Sequence, residues 1–286
     1  MKRPYLAAAT LIAALIPAVA SAQVDFSGVW QPRYHEDQPE RIPGPELRDY
    51  AGLPINENAR QFADSWDPSR ITLPEEQCRV HVSPYIYRGP MQVRIWEERD
   101  PDTQQLIAIK HYISTFQQTR TIWMDGRPHP PEYAAHTWMG FSTGRFEGDM
   151  LTVTTTHIKQ GWVRRNGLPE SDRATLSEHF IRHGNNLTHI SIVTDPVYLT
   201  EPLIKTQNFT LIERTQFGVG AWLWPCAYVD EIANRPQGVV PNYLVGKNTA
   251  VKEFIDRYHL PIDAAMGGAK TMYPEYQLEL EKAKPK

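Results

Sequence analysis

Hydrophobic and polar residues alternate through the middle of the chain, in short runs that turn residues separate. Alternation with a period of two predicts strands that bury one face, because successive side chains of a strand point to opposite sides. Short polar turns that contain Gly148 and Gly184 lie between neighbouring runs and predict two hairpins. The predicted strands are residues 84–96, 106–115, 120–124, 138–146, 150–157, 175–182, 187–194 and 203–212.

Other patterns flank this region. Residues 24–30 predict a short strand whose Trp30 can fill one end of a barrel. Residues 31–76 are rich in Pro and charged side chains and lack a sustained period, so we expect an extended wrap with one short helix near residues 56–62. Residues 249–258 place apolar side chains at helical spacing, which predicts an amphipathic helix packed on the barrel.

Together these patterns predict a mainly β fold, an antiparallel barrel with a C-terminal amphipathic helix. The expected organisation is a signal peptide in residues 1–22, a strand and extended wrap in residues 23–83, the barrel in residues 84–230, and a tail with the helix in residues 231–286. Within the tail, residues 276–280 fit a last strand or a helix.

The N-terminus has the three parts of a secretory signal peptide. Lys2 and Arg3 precede an apolar run at residues 6–19, and small residues lead to an expected cleavage site after Ala22. The apolar run is too short to cross a bilayer, and no later stretch of the sequence is long and apolar enough. We therefore expect a periplasmic or secreted protein without a membrane span.

The two cysteines, Cys78 and Cys226, bear on the same question. In an oxidising compartment two cysteines most simply pair with each other. Such a bond would tie the entry of the barrel to its exit. The alternative is two separate buried thiols.

The charge balance points to small molecules as partners. The chain has 30 Lys and Arg against 33 Asp and Glu, a net charge of -3. No basic run interleaved with aromatic residues occurs, which argues against a nucleic-acid partner. A hydrophobic fraction of 41% excludes a disordered chain, so a core can be buried. The sequence leaves the oligomeric state open.

Strand phase selects three polar residues that would share the barrel lumen. Leu151 sets the inner face of its strand and carries His157 with it, and Leu176 likewise carries Glu178. For the strand at residues 187–194 the phase is ambiguous, with a small preference for an inward His189. His157, Glu178 and His189 would then converge from three antiparallel strands.

The chemistry of such a trio has two forms. A buried carboxylate needs a cation, a hydrogen-bond donor or a proton, and two imidazoles can serve Glu178 in this way. An acid/base set would use His157 as base, Glu178 as its orienter or as the acid, and His189 as a second proton carrier. A two-His, one-carboxylate site for a divalent metal is the other form. If the side chains face solvent instead, there is no cluster.

Candidate ligand contacts come from aromatic residues and one arginine. Aromatic walls suit a flat, apolar ligand, although such residues more often form ordinary core. Arg164 lies on a long connection after His157 that can act as a lid over an acidic or carbonyl-bearing ligand; a solvated loop is the alternative. The candidates are Trp123, Trp138, Phe141, Arg164 and Tyr198.

The motifs RTIWMDGRPHP at residues 120–130 and TWMGFSTGRFEGDMLTVTTTH at residues 137–157, followed by SEHF and VTDPVYLTEP, resemble a large and mostly uncharacterised family of exported bacterial proteins. The resemblance spans about Cys78 to Cys226 and implies a lipocalin-like, or calycin-like, barrel. This chain has Phe141 where the family often has His, and Phe146 where Trp is usual, so an activity that used that His does not transfer.

The function expected from these observations is a periplasmic lyase or isomerase. It would act on a small, largely apolar molecule in the barrel lumen by cofactor-free acid/base chemistry such as isomerisation, hydration or elimination. One alternative is a non-catalytic carrier with the same pocket. Another is an enzyme that depends on a divalent metal held by His157, Glu178 and His189.

Overall fold

The computed structural model describes residues 24–33, 45–89, 92–212 and 226–283. Within these residues nine strands close into a barrel and two more form a separate hairpin. The strands are β1 (Gly28–Pro32), β2 (Val93–Arg99), β3 (Leu106–Ile113), β4 (Gln118–Trp123), β5 (Phe141–Glu147), β6 (Met150–Thr156), β7 (Gly161–Arg164), β8 (Leu168–Glu170), β9 (Thr175–His183), β10 (Asn186–Thr194) and β11 (Leu203–Ile212).

The barrel order is β1-β11-β10-β9-β6-β5-β4-β3-β2, and β1 closes it by pairing with both β11 and β2. Both predicted hairpins are present, as β5–β6 and β9–β10. All neighbours are antiparallel except β4 and β5, where Ile122 faces Ser142 in a parallel pair. The long connection at residues 124–140 makes this possible, because parallel neighbours require the chain to cross back to the same barrel end. The mainly β, lipocalin-like barrel predicted from the sequence is confirmed.

Short helices surround the barrel. The predicted helix near residues 56–62 is α1, whose N-cap Asn56 accepts a hydrogen bond from the backbone N–H of Ala59 at 3.1 Å. The predicted C-terminal helix is α3, and residues 276–280 lie in a further helix, α5. The helices are α1 (Glu57–Ser65), α2 (Pro74–Gln77), α3 (Ala250–Tyr258), α4 (Ile262–Met266) and α5 (Pro274–Ala283), with 3-10 turns at Pro68–Thr72, Tyr85–Arg88, Thr115–Gln117 and Ala269–Met272.

The expectation of a continuous strand over residues 84–96 is wrong in its first half. Tyr85–Arg88 form a 3-10 turn whose Ile86 and Tyr87 are buried inside the barrel, and β2 begins only at Val93. Gly89 permits this path, because a Cβ there would lie 2.4 Å from the Thr115 hydroxyl. The chain itself therefore fills part of the lumen.

Two hydrophobic cores hold the fold together. The first lies inside the barrel and includes Trp30, Tyr87 and Phe180. The second lies between the wrap at residues 45–66, the β7–β8 hairpin and the barrel end where β9 begins; Leu53, Leu168 and Leu176 belong to it. Apolar burial on both sides of this barrel end fixes the hairpin over it.

The β7–β8 hairpin replaces the loop expected after His157. It joins β6 to β9, packs against α1 and contacts the 3-10 turn inside the barrel. Gly167 in its turn has a φ of +99°, and a Cβ there would lie 2.7 Å from Trp66, so the hairpin approaches the wrap closely. It covers one end of the barrel in the position expected of a lid.

The barrel is not confined to residues 84–230, because β1 comes from the N-terminal stretch and completes the closure. The predicted disulfide between Cys78 and Cys226 is present, with Cα atoms 5.5 Å apart. No helix within the described ranges is long and apolar enough to cross a membrane. The predicted signal peptide, residues 1–22, lies outside the described residues.

Candidate functional site

Buried polar side chains line the inner face of seven neighbouring barrel strands. Their positions follow from alternation, since each shares its face with apolar core residues of the same strand. We call this set the interior polar ring. Its members, each at most 3% exposed, are His111 (β3), Arg120 (β4), Ser142 (β5), Thr155 (β6), Glu178 (β9), His189 (β10) and Gln207 (β11).

An ion pair between Arg120 and Glu178 lies at the centre of the ring. Nη1 of Arg120 is 2.9 Å from Oε1 of Glu178, and Nη2 contacts Oε2, which gives the bidentate geometry that guanidinium and carboxylate favour. The other guanidinium protons go to Ser142 at 3.1 Å, to Thr155 at 2.7 Å and to the Tyr87 hydroxyl at 3.1 Å. The buried charges are thus mutually neutralised and fully hydrogen-bonded.

His189 is the second partner of Glu178, as predicted from strand phase. Its Nε2 lies 2.9 Å from Oε1 of Glu178, and its Nδ1 lies 3.1 Å from Nε2 of Gln207. Phe180 stacks on the imidazole with ring centroids 4.4 Å apart. The prediction that Glu178 and His189 share the lumen is confirmed.

Burial and charge set the protonation of these groups. Burial favours a neutral Glu178, but the charge of Arg120 and hydrogen bonds from His189 and Arg120 outweigh it and lower the pKa to about 2. Burial lowers the pKa of His111 to about 3 and also lowers that of His189, while it raises the pKa of Tyr87 to about 12. At neutral pH Glu178 is ionised and both imidazoles are neutral.

On the side of the ring that contains Tyr87 and His111, these protonation states fix the direction of each hydrogen bond. Arg120 can only donate, so the Tyr87 oxygen accepts from it and the Tyr87 proton points to Nδ1 of His111, 2.7 Å away. Neutral His111 then carries its proton on Nε2. This Nε2–H has no hydrogen-bond partner within the described part of the chain.

The other side of the ring ends in an acceptor. Ionised Glu178 accepts, so His189 donates from Nε2, and its unprotonated Nδ1 accepts from the amide nitrogen of Gln207. The amide oxygen of Gln207 is left buried without a hydrogen-bond partner among the described residues. Buried polar atoms in proteins are nearly always paired. The two unpaired atoms at the ends of this hydrogen-bond chain, Nε2 of His111 and the amide oxygen of Gln207, therefore mark a place for a further polar group.

A second buried carboxyl group, Glu170, lies on the hairpin that covers the barrel. It is fully buried, and neither of its oxygens has a hydrogen-bond partner within the described ranges. Burial raises its pKa well above the usual value, and the negative charges of Asp195 and Glu178 raise it further. Glu170 is therefore a neutral carboxylic acid beside an ionised one.

His157 does not lie in the lumen, and this prediction is wrong. The phase of β6 is as expected, with Thr155 inward, but the strand ends at Thr156 and His157 adopts a left-handed φ of 56°. Its Nδ1 and Nε2 bond to Thr156 at 2.8 Å and to the Pro131 carbonyl at 3.0 Å. It lines an outer cleft of about 590 Å³ that also contains His136.

The predicted trio is therefore not one site. Only Glu178 and His189 meet, and Arg120 occupies the carboxylate that a metal would need. Neither the acid/base trio nor the two-His, one-carboxylate metal site exists in the form predicted. Within the described residues no group of three or more His, Cys, Asp or Glu is arranged to hold a metal ion.

Two predicted ligand contacts lie on the outer face of the barrel. Trp123 and Phe141 each adjoin an inward residue, Ile122 and Ser142, so alternation turns them outward. The guanidinium of Arg127 lies 3.5 Å from the ring centroid of Trp123. Neither aromatic side chain reaches the interior polar ring.

The other three predicted ligand contacts are dispersed around the barrel end that the β7–β8 hairpin covers. Trp138 lies between two cations, Arg79 at 5.9 Å and Lys159 at 5.0 Å. Arg164, the last residue of β7 in the hairpin, is buried and donates to the Asp49 carbonyl at 3.0 Å. Tyr198 packs in the second core. The five candidates do not form one pocket.

Strand phase could have found two residues that were missed. His111 alternates with Ile109 and Ile113 in β3, and Arg120 with Ile122 in β4, which is the same argument that selected Glu178. Glu170 gave no such signal, because β8 has three residues and no alternation to read.

No family model, curated protein or solved structure matches this chain. The protein is therefore characterised by its own fold and site. The fold is a closed, mainly β barrel; the site has a buried ion pair at the barrel centre and a neutral carboxylic acid on the covering hairpin. The function must be argued from these groups.

Proposed function

We propose that this protein is an exported enzyme that acts on a small, largely apolar molecule in the barrel interior by cofactor-free acid/base chemistry. The observation that carries the proposal is the contrast between two buried carboxyl groups: Glu178 is paired with Arg120, whereas neither oxygen of Glu170 has a hydrogen-bond partner within the described residues. Two carboxyl groups whose surroundings drive their pKa values apart are a common arrangement in acid/base enzymes. Isomerisation, hydration and elimination all need a group that gives up a proton and takes it back.

The roles differ from those expected of the trio. Glu170 is the proton donor, because a neutral acid at neutral pH can protonate a substrate oxygen or carbon and recover the proton afterwards. Glu178 is held ionised by Arg120 and orients His189, so it is a positioning residue rather than the acid. His111 offers its Nε2–H to polarise a substrate oxygen.

Export to the periplasm and membership of the exported bacterial family are part of the proposal. The N-terminal pattern and the disulfide between Cys78 and Cys226 support the compartment, since such bonds persist under oxidising conditions. The motifs at residues 120–130 and 137–157 support the family. Periplasmic fractionation with mass spectrometry of the mature N-terminus tests the first, and cleavage after Ala22 is expected.

A carrier with the same interior is the second candidate. It is favoured by the saturation of His189, whose two nitrogens are both hydrogen-bonded to protein, and by the complete burial of the ring. A carrier would use the unpaired atoms of His111 and Gln207 to anchor a ligand without converting it.

Mass spectrometry of small molecules retained by protein from the native periplasm separates the two. For an enzyme, the retained compound is converted on incubation with fresh protein, and a chelator does not slow the conversion. The Glu170→Gln variant should retain the compound and form no product, with Glu132→Gln on the exposed loop as the matched control. Retention without conversion by the wild type would leave the carrier function.

A further inference from the structure

We infer that the ligand of the barrel interior is a neutral, apolar molecule that carries a hydroxyl group, recognised by His111 and Gln207. The inference rests on the proposed interior ligand and names its chemical class. It comes from the two ends of the hydrogen-bond chain that runs through Glu178.

The first requirement on the ligand is an acceptor. The proton of His111 is fixed on Nε2 because its Nδ1 accepts from Tyr87, whose oxygen in turn accepts from Arg120. His111 is fully buried and lies against the edge of Phe180, with ring centroids 5.1 Å apart. A buried N–H without a partner is costly, so the ligand must offer an oxygen here.

The second requirement is a donor. Gln207 donates one amide N–H to the unprotonated Nδ1 of His189 and keeps a buried oxygen. A flipped amide is excluded, since its oxygen would face Nδ1 of an imidazole that already uses its only proton on Glu178. A carbonyl or ether alone cannot satisfy this oxygen, whereas a hydroxyl can.

The charge balance within the ring argues against an ionic ligand group. Arg120 compensates Glu178 through two contacts, and His111 and His189 are neutral. A carboxylate beside Gln207 would meet another acceptor and the negative charge of Glu178. Burial of such an anion is strongly unfavourable unless a cation pairs with it directly.

Three naphthalene probes test the class with the intact protein. 2-Naphthol has a neutral hydroxyl, 2-methoxynaphthalene accepts but cannot donate, and 2-naphthoate is an anion of similar shape. We expect 2-naphthol to bind about tenfold more tightly than 2-methoxynaphthalene, which corresponds to one hydrogen bond, and 2-naphthoate to bind most weakly. Isothermal titration calorimetry at pH 7 gives the three affinities.

Variants locate the preference. Gln207→Leu should reduce the ratio between 2-naphthol and 2-methoxynaphthalene to about one, because only the donated hydrogen bond distinguishes them. His111→Phe should weaken both probes alike. Gln105→Leu, on an exposed loop, is the matched control and should keep the wild-type ratio. Circular dichroism verifies folding of each variant.

Equal affinities for the three probes in the wild type would overturn the inference, and so would a preference for 2-naphthoate. Absence of binding by any probe would also overturn it and would mean that ordered water alone pairs His111 and Gln207. These outcomes differ from failure of the proposed function. A protein that prefers 2-naphthol but converts no retained compound is a selective carrier, and turnover of a compound without a hydroxyl contradicts this inference alone.

Discussion

Glu178 in the barrel interior and Glu170 on the covering hairpin respond to pH in opposite directions. The folded-state pKa of Glu178 is depressed to about 2, so its contribution to stability is present above about pH 4.3, the unfolded value, and is lost as the pH falls through 2. The pKa of Glu170 is raised, so the folded state loses stability as the pH rises above about 4.3 towards the folded value.

Replacement of Glu170 isolates the second effect. The Glu170→Gln variant has no proton to lose, so it should be more stable than the wild type at pH 7 and equally stable near pH 4. The difference in unfolding free energy between the two proteins should be about 1.4 kcal/mol for each pH unit above the unfolded pKa of about 4.3, until the folded pKa is reached. Urea unfolding at both pH values measures it, and Glu132→Gln should match the wild type. A protein in which Glu170 is ionised and paired would instead be destabilised by the change.

The buried ion pair gives a second prediction at this scale. Arg120→Met leaves the carboxylate of Glu178 buried without a cation and should cost about 3–5 kcal/mol of unfolding free energy. Arg120→Met with Glu178→Leu removes both charges and should recover most of that loss. Lys252→Met, in an exposed pair with Asp256, should leave stability nearly unchanged, because solvent screens such a pair. Equal stability of the Arg120 single and double variants would refute this account.

At the scale of elements, alternation explains both the successes and the failures of prediction. In β9 the phase placed Glu178 correctly, and in β10, where two phases competed, the preferred one placed His189 correctly. In β6 the phase was also right, but the sequence does not show that the strand ends before His157. The strand predicted over residues 85–88 is wrong because a 3-10 turn packed inside a barrel is as apolar as a strand.

The covering hairpin packs closely against the wrap. Gly167 has a positive φ, and a Cβ there would lie 2.7 Å from the Trp66 side chain, whereas Gly148 has a positive φ and open space around it. Gly148→Ala should cost roughly 1–2 kcal/mol from backbone strain alone. Gly167→Ala should cost roughly 1–3 kcal/mol more, because the hairpin must also move from Trp66.

Urea unfolding of the two alanine variants measures the difference, and a change in the hairpin should also appear as faster amide exchange in β7 and β8. Similar losses of unfolding free energy in the two variants would mean that the hairpin can move away from Trp66 at no energetic cost. Because Glu170 belongs to this hairpin, Gly167→Ala also tests how firmly the carboxyl group is held over the barrel.

At the scale of the whole molecule, topology depended on pairings that local patterns do not encode. The nine barrel strands and two of their hairpins followed from alternation and turn residues, whereas the β7–β8 hairpin did not. The closure through β1, which was predicted as a strand but not as part of the barrel wall, and the parallel pair β4–β5 depend on long-range packing. The partners of the disulfide followed from composition, since a chain with only Cys78 and Cys226 has one possible intramolecular disulfide.

That disulfide joins positions 148 residues apart and connects the start of the barrel to the segment before the C-terminal helices. Closure of so long a loop restricts the unfolded chain, which on the chain-entropy account stabilises the fold by roughly 5 kcal/mol. The Cys78→Ser, Cys226→Ser double variant should therefore unfold at a lower urea concentration than the wild type, and reductant should not change its urea midpoint. Reduction of the wild type should lower its urea midpoint towards that of the double variant. Gln77 holds the same segment through two 2.8 Å hydrogen bonds to the Val229 backbone, so Gln77→Ala should lower stability further in the double variant than in the wild type. An unchanged urea midpoint after reduction would show that the bond does not constrain the unfolded chain.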